Sequence, residues 1–293
     1  MREDLTVGIA QWLPAPGRPR ENLATALSLI RDLAGRGCDL VVLPELWPCG
    51  YNSASLAQDA ADAAEPLTGA RAAELGECAR DLRIWLAAGS VPERDGQALY
   101  NTALLYDRKG RLAAWHRKVH LYSPLAEDTI FIPGDRLTVC RTGELGVVGL
   151  SVCFDGDFPE TARALRRAGA TLVVQPSAYE TGARSWWQKL YPAAALSNGQ
   201  WWVLANQCGT NPSGTLLGES HVLSPWGEVV ASAAAARDGE TPGRDLLVVQ
   251  VPLSRDVIAA ERENGVLWGP PHPDLTVHVH VHVHDGTELA RVR

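Results

Sequence analysis

One β-α-β unit occurs twice in this chain, and that repeat limits the folds open to it more than any other feature. Val7-Gly-Ile-Ala-Gln-Trp12, a helical stretch and Gly37-Cys-Asp-Leu-Val-Val-Leu-Pro44 form the first copy. The second is Val148-Gly-Leu-Ser-Val-Cys153, another helical stretch and Gly169-Ala-Thr-Leu-Val-Val-Gln-Pro176. Short apolar runs with glycine and proline at their ends read as buried strands. Such strands need cover on both faces. Two copies therefore predict an α/β protein whose two related halves pack sheet against sheet, with helices outside.

The rest of the pattern agrees. Leu5–Gln11 reads as a buried strand, and Leu23, Leu27, Ile30 and Leu33, with Ala26 and Ala34 beside them, recur at helical spacing until Gly35 and Gly37. A second helix is predicted over Ala70–Leu82, followed by a strand at Ile84–Gly89. Asn101–Tyr106 and Leu112–Lys118 flank the turn Asp107-Arg-Lys-Gly110 and read as a hairpin. A strand over Val147–Cys153, a helix from Pro159 to Arg167 and a strand over Thr171–Gln175 complete the second copy, and Ala231–Gly243 reads as loop. The expected organisation is a single domain over residues 1–270 and a tail over 271–293.

Composition excludes several function classes. The net charge is −7 and no dense Lys/Arg run occurs, which argues against nucleic-acid or anionic-membrane partners. No stretch approaches the ~20 consecutive apolar residues of a membrane helix. The first residues do not read as a signal peptide, so the expected address is cytoplasmic. Six cysteines, at 38, 49, 78, 140, 153 and 208, lie at least 11 residues apart, without the pairs of a zinc ribbon.

Fingerprints for dinucleotides, P-loops, serine hydrolases and zincins are all absent. Three reactive side chains at strand ends remain: Glu45 after Pro44, Lys118 after Leu112–Arg117, and Cys153 after Val147–Val152. A cysteine thiol, titrating near ~8.5, needs a base or a stabilised thiolate. A carboxylate can take that proton and later return it to a leaving amine, and an ammonium can hold an oxyanion. Taken singly, each residue also fits a plainer role: a surface charge after a turn, a solvated strand end, a buried packing thiol.

The flanking residues decide between these roles. Leu43-Pro-Glu45-Leu-Trp47, Arg117-Lys118-Val-His-Leu-Tyr122 and Cys153-Phe-Asp-Gly-Asp-Phe-Pro-Glu160 follow one another in this order. Together with Asn206-Gln-Cys-Gly209, Gly218-Glu-Ser220 and Ser224-Pro-Trp-Gly227, they resemble the nitrilase superfamily of carbon–nitrogen hydrolases over roughly residues 5–235. The resemblance implies a four-layer α-β-β-α sandwich and a Glu-Lys-Cys triad of Glu45, Lys118 and Cys153. It implies a second glutamate at Glu127, seven residues before Gly134, and an oxyanion donor in the backbone N–H of Phe154. It implies no metal and no organic cofactor, and a homodimer or higher homo-oligomer.

Two departures bear on substrate and assembly. Where many members carry Arg-Ala-x-Glu-Asn, this chain reads Ala194-Ala-Leu-Ser-Asn198, which puts the subunit interface in doubt. True nitrilases resemble Cys-Trp-Glu after the nucleophile, whereas Cys153-Phe-Asp is closer to amidase and carbamoyl-amide branches. The expected function is therefore hydrolysis of a small non-peptide amide through a cysteine thioester. The alternatives are an N-carbamoyl amino-acid hydrolase, a nitrilase, an acyl-transferase using the same thioester, and an inactive binding protein on the same fold. Tyr51, Tyr179, Arg184 and Trp187 are the expected substrate contacts, although Arg184 also fits an ordinary surface arginine. Of Trp201 and Trp202, strand alternation lets at most one line a pocket. The alternating Val277–His284 reads as a strand with its valines buried, in preference to an adventitious zinc or nickel site.

Overall fold

In chain order the first half runs β1 (Leu5–Gln11), α1 (Pro19–Gly35), β2 (Leu40–Val42), α2 (Leu56–Ala63), α3 (Ala70–Leu82), β3 (Trp85–Asp95), β4 (Ala98–Tyr106) and β5 (Leu112–Arg117). A single helical turn, α4 (Glu127–Ile130), leads into β6 (Leu137–Arg141), β7 (Val147–Leu150), α5 (Pro159–Arg167), β8 (Leu172–Ser177), α6 (Arg184–Asn198) and β9 (Trp201–Asn206). The ribbon β10 (Cys208–Asn211) and β11 (Gly214–Leu217) follows, then β12 (His221–Leu223), β13 (Val229–Ser232), β14 (Asp245–Val251), α7 (Leu253–Asn264) and β15 (Val279–Val283). The structure is a computed structural model that describes residues 1–236, 244–264 and 279–283.

Two mixed sheets result, with strand orders β14-β1-β2-β3-β4-β5 and β13-β12-β9-β8-β7-β6-β15. The two copies of the repeat are the parallel pairs β1·β2 and β7·β8, crossed by α1 and α5. Each strand at the centre divides its side chains between two cores. Leu5, Val7, Ile9, Leu40 and Val42 share one core with Val148, Leu150, Leu172 and Val174, which is the layer between the sheets. Val41 and Leu43 pack with Ile30 and Leu33 of α1. Val173 packs with Leu165 of α5 and Trp187 of α6. These are the four layers, α-β-β-α. Trp201 and Trp202 obey the same alternation, Trp201 between the sheets and Trp202 under the helices, so neither is free for a pocket. Burying a large apolar side chain is worth about 1.5–3 kcal/mol.

Several boundaries differ from expectation for identifiable reasons. The strand expected to end at Gly89 continues to Asp95, because β4 starts at Ala98 and pairs with it around Gly96. The strand expected through Cys153 ends at Leu150, and residues Cys153–Asp157 form a 3-10 turn. The Asp155 carboxylate accepts the backbone N–H of Val152 and folds the chain back on itself. β13 occupies the start of the expected 231–243 loop, while 237–243 lie outside the described residues. Of the tail, residues 279–283 pair in parallel with β6 at the edge of the second sheet. The boundary expected at 270 and the valine burial expected there lie outside what is described.

One glycine holds the glutamate-bearing segment in place. Gly89 has φ +67°, and a Cβ there would stand 2.1 Å from the Pro44 carbonyl oxygen and 2.9 Å from Trp47 Cδ1. β3 can approach the Leu43–Trp47 segment this closely only without a side chain. Gly89→Ala should cost about 2–3 kcal/mol through the clash and the left-handed backbone together. A urea titration with unchanged midpoint would contradict this.

Candidate active site

Glu45, Lys118 and Glu127 arrive from three different segments and meet in the interior. Glu45 follows β2 by three residues, its backbone N–H reaching Ser177 O of β8 at 3.4 Å and its carbonyl accepting Gln207 Nε2 at 2.7 Å. Lys118 follows β5 directly, and its backbone N–H donates to Asn101 O at 2.8 Å. Glu127 opens α4, a helical turn where an open loop was expected. All three side chains are essentially inaccessible to solvent.

The Lys118 ammonium bridges the two carboxylates, 2.8 Å from Glu45 Oε1 and 2.8 Å from Glu127 Oε2. Asn101 Nδ2 gives Glu45 Oε1 a second bond at 2.8 Å. Glu127 is held by the Tyr51 hydroxyl at 2.7 Å and by the backbone N–H of Tyr122 at 2.8 Å. Among the described residues Glu45 Oε2 has no hydrogen-bond partner and is the acceptor left over. Two buried carboxylates about one ammonium are stable only when each is further hydrogen-bonded, as here.

Cys153 stands beside this network with φ +46°, a conformation that costs a non-glycine residue about 1–3 kcal/mol. The surroundings over-determine it. Tyr191 donates to the Cys153 carbonyl at 3.3 Å. Asp155 accepts the backbone N–H groups of Val119 at 3.0 Å and His120 at 2.8 Å, and it contacts His116 Nε2 at 3.0 Å. One carboxylate thus ties the segment after Lys118 to the turn after Cys153. Burial would raise Asp155, but its bonds to His116 and His120 outweigh that and hold it well below the usual carboxylate range.

The protonation pattern suits a neutral thiol with a base beside it. Burial, then the Glu45 charge, push the Cys153 thiol well up, against the opposing pull of Lys118 and the Ala178 backbone. Burial raises Glu45 also, and Glu127 adds to this while Lys118 opposes it. For Lys118, burial works against the charge, but Glu127 and Glu45 overcome it and keep the ammonium charged.

A cavity of about 40 Å³ opens onto Cys153, Lys118 and Tyr51 and is walled by Tyr122, Phe154, Asp157, Tyr179, Glu180 and Trp186. That volume is roughly three waters, the size of an amide head group. Of the expected substrate contacts, Tyr51 and Tyr179 line it; Trp187 and Arg184 do not. Trp187 is fully buried, its indole N–H donating to Glu219 O at 3.0 Å, and its neighbour Trp186, 52% exposed, faces the cavity instead. The start of α6 at Arg184 fixes that helical phase, and each step along a helix turns about 100°. Arg184 pairs with Glu219 at 3.4 Å. Glu180 and Trp186 on the walls and Asn101 behind Glu45 carry no signal that sequence reading could use, whereas Tyr122, Asp157 and Gln207 stand inside the Arg117–Tyr122, Cys153–Glu160 and Asn206–Gly209 motifs, whose reactive neighbours could have pointed to them. Among the described residues, no cluster of histidine, cysteine, aspartate or glutamate is arranged to hold a metal ion, and no helix is long and apolar enough to cross a membrane.

A doubled sheet between helices, with a buried Glu-Lys-Glu network against a strained cysteine, defines a class of hydrolase, and the family model says which. Residues 6–260 match carbon–nitrogen hydrolase, so the chain belongs to that family, within the nitrilase superfamily. It is 30% identical over 266 residues to the omega-amidase NIT2 of Xenopus tropicalis, covering 88% of this chain and 91% of that protein. Saccharomyces cerevisiae Nit3, a member of branch 10 of the superfamily, has a similar structure, with a TM-score of 0.80, 25% identity and coverage of 90% and 95% of the two chains. An amidase from Nesterenkonia sp. aligns with a TM-score of 0.76 at 29% identity over 92% of this chain and 98% of its own. A glutamate-to-glutamine mutant of that amidase carries the acetamide moiety of fluoroacetamide on its active-site cysteine.

Proposed function

We propose that this chain is an amidase that cleaves the C–N bond of small amides through a thioester on Cys153. The observation that carries this reading is the Glu45-Lys118-Glu127 network beside Cys153 at the inner end of one small cavity. Glu45 takes the thiol proton as sulfur attacks the carbonyl carbon. Lys118 and the backbone N–H of Phe154 hold the oxyanion that forms. Glu45 then gives its proton to the departing nitrogen, so that ammonia or an amine leaves and the acyl group stays on sulfur. Water, deprotonated by Glu45, breaks the thioester, and Cys153 recovers its proton as the acid departs. Glu127 fixes Lys118 and is itself fixed by Tyr51; it is a positioning residue.

A cytoplasmic address accords with six buried cysteines, all of them free thiols. A homo-oligomer accords with exposed Leu196, Val229 and Val230, and light scattering on the purified chain reads it directly. The functional test is incubation with matched amides, nitriles and N-carbamoyl amino acids, following ammonia and carbon dioxide together with intact protein mass. Amides should release ammonia without carbon dioxide and leave an acyl-sized adduct. Carbon dioxide from the carbamoyl compounds at a higher rate would move the reading to a carbamoyl hydrolase, and nitrile turnover above amide turnover to a nitrilase.

A further inference from the structure

The walls of the cavity carry a charge pattern of their own. Lys118 is the only cation among the lining residues, and Glu45 and Glu127 already neutralise it. Asp157 is committed to the hydroxyls of Tyr179 and Tyr191. Glu180 is different: this half-buried carboxylate on the wall has no ion-pair or side-chain hydrogen-bond partner among the described residues. It lies near enough to Tyr122 to disfavour ionisation of that phenol, after burial. Around it are aromatic faces. Tyr122 and Phe154 meet edge to face with centroids 5.0 Å apart, and Tyr179 and the exposed Trp186 complete the wall. The nearest arginine in sequence, Arg184, is turned to Glu219 and does not reach the lining.

Aromatic faces around one unpaired carboxylate attract a cation and repel an anion. We propose that the cavity is built for an amide whose far end carries a protonated amine, with Glu180 as the specificity-determining residue that pairs with it. This rests on the amidase reading above and narrows its substrate class. The amide head occupies the inner cavity at Cys153, an aliphatic spacer passes the aromatic walls, and the ammonium sits between Glu180 and Trp186. A monoamide ending in a carboxylate would instead bring a second negative charge to Glu180 without a cation to receive it. Burial raises the Glu180 carboxyl, and an ammonium partner would oppose that shift and favour its charged form.

Three amides of matched length test this: δ-aminovaleramide, hexanamide and glutaramate, ending in an ammonium, a methyl and a carboxylate. The wild-type kcat/KM should be roughly tenfold or more higher for δ-aminovaleramide than for hexanamide, and lowest for glutaramate. In Glu180→Gln the cationic-to-neutral ratio should fall to near one, and in Glu180→Lys the order of the two charged amides should reverse. Melting temperatures check that both variants fold. Equal wild-type rates on δ-aminovaleramide and hexanamide, or a ratio that survives Glu180→Gln, would overturn the proposal and leave the amidase reading standing. Absence of both turnover and covalent adduct with all three amides would overturn the amidase reading, and this proposal with it.

Discussion

Cys153→Ala should remove amide turnover, lowering kcat by about 10⁴-fold or more, while the protein folds and still binds its substrate. The reasoning is local. The substitution deletes one sulfur at the inner end of a small cavity and leaves Glu45, Lys118 and Glu127 bonded to one another and to Asn101, Tyr51 and the Tyr122 backbone. Alanine suffers the same left-handed backbone as cysteine, so the strain at φ +46° is unchanged. The stability cost is then that of a small side-chain deletion, on the order of 1 kcal/mol. No other cysteine can substitute. All five remaining cysteines are buried elsewhere, and none of them lines the cavity. Ammonia release, isothermal binding of an uncleaved amide and intact mass together check the prediction. Residual turnover within tenfold of wild type would remove Cys153 from the mechanism, and loss of binding along with turnover would show that the sulfur also shapes the cavity.

What a reader of the sequence could see was whatever is written in local periodicity and neighbouring residue types. The span of β1, the span of α3 and the span of α5 follow from apolar spacing with glycine and proline at the ends, and the structure gives the same limits. The duplicated half-fold was legible for the same reason. Features created by long-range contacts were not. The turn at Cys153 exists because Asp155 gathers N–H groups from two separate segments, which no local pattern encodes. Asn101 reaches Glu45 from β4 and Gln207 from the link between β9 and β10, and Glu180 gains its meaning only from the walls around it. The exchange of Trp187 for Trp186 has the same origin: the sequence shows two adjacent indoles, and only the helix start decides which one turns inward.

Lys118→Met keeps much of the stem's volume and removes the one charge that lets two buried carboxylates coexist, so its effect should be large on both stability and rate. Taking one partner from a buried ionic network typically costs 3–5 kcal/mol, because the remaining charges stay desolvated and unpaired. Glu45 and Glu127 would then face each other with no cation between them, and the pair should retain a proton at neutral pH. A shared proton occupies the base that must activate Cys153, in addition to the loss of an oxyanion donor worth ~10²–10³ in kcat. The pH dependence follows from the direction of this shift. A carboxyl pair whose folded pKa lies above its unfolded value binds more protons folded than unfolded, so stability is gained at low pH and lost as pH rises from the unfolded carboxyl range through the folded value. In the wild type, burial raises the Glu45 carboxyl, and the Lys118 charge opposes that rise, an opposition the variant lacks. The gap in urea midpoint between wild type and Lys118→Met should therefore be widest near neutral pH and narrow toward pH ~5. A variant as stable as wild type at neutral pH, with kcat/KM unchanged, would mean that the lysine is a spectator to the two glutamates. A stability loss that does not vary with pH would place the damage in packing and leave the carboxylates charged.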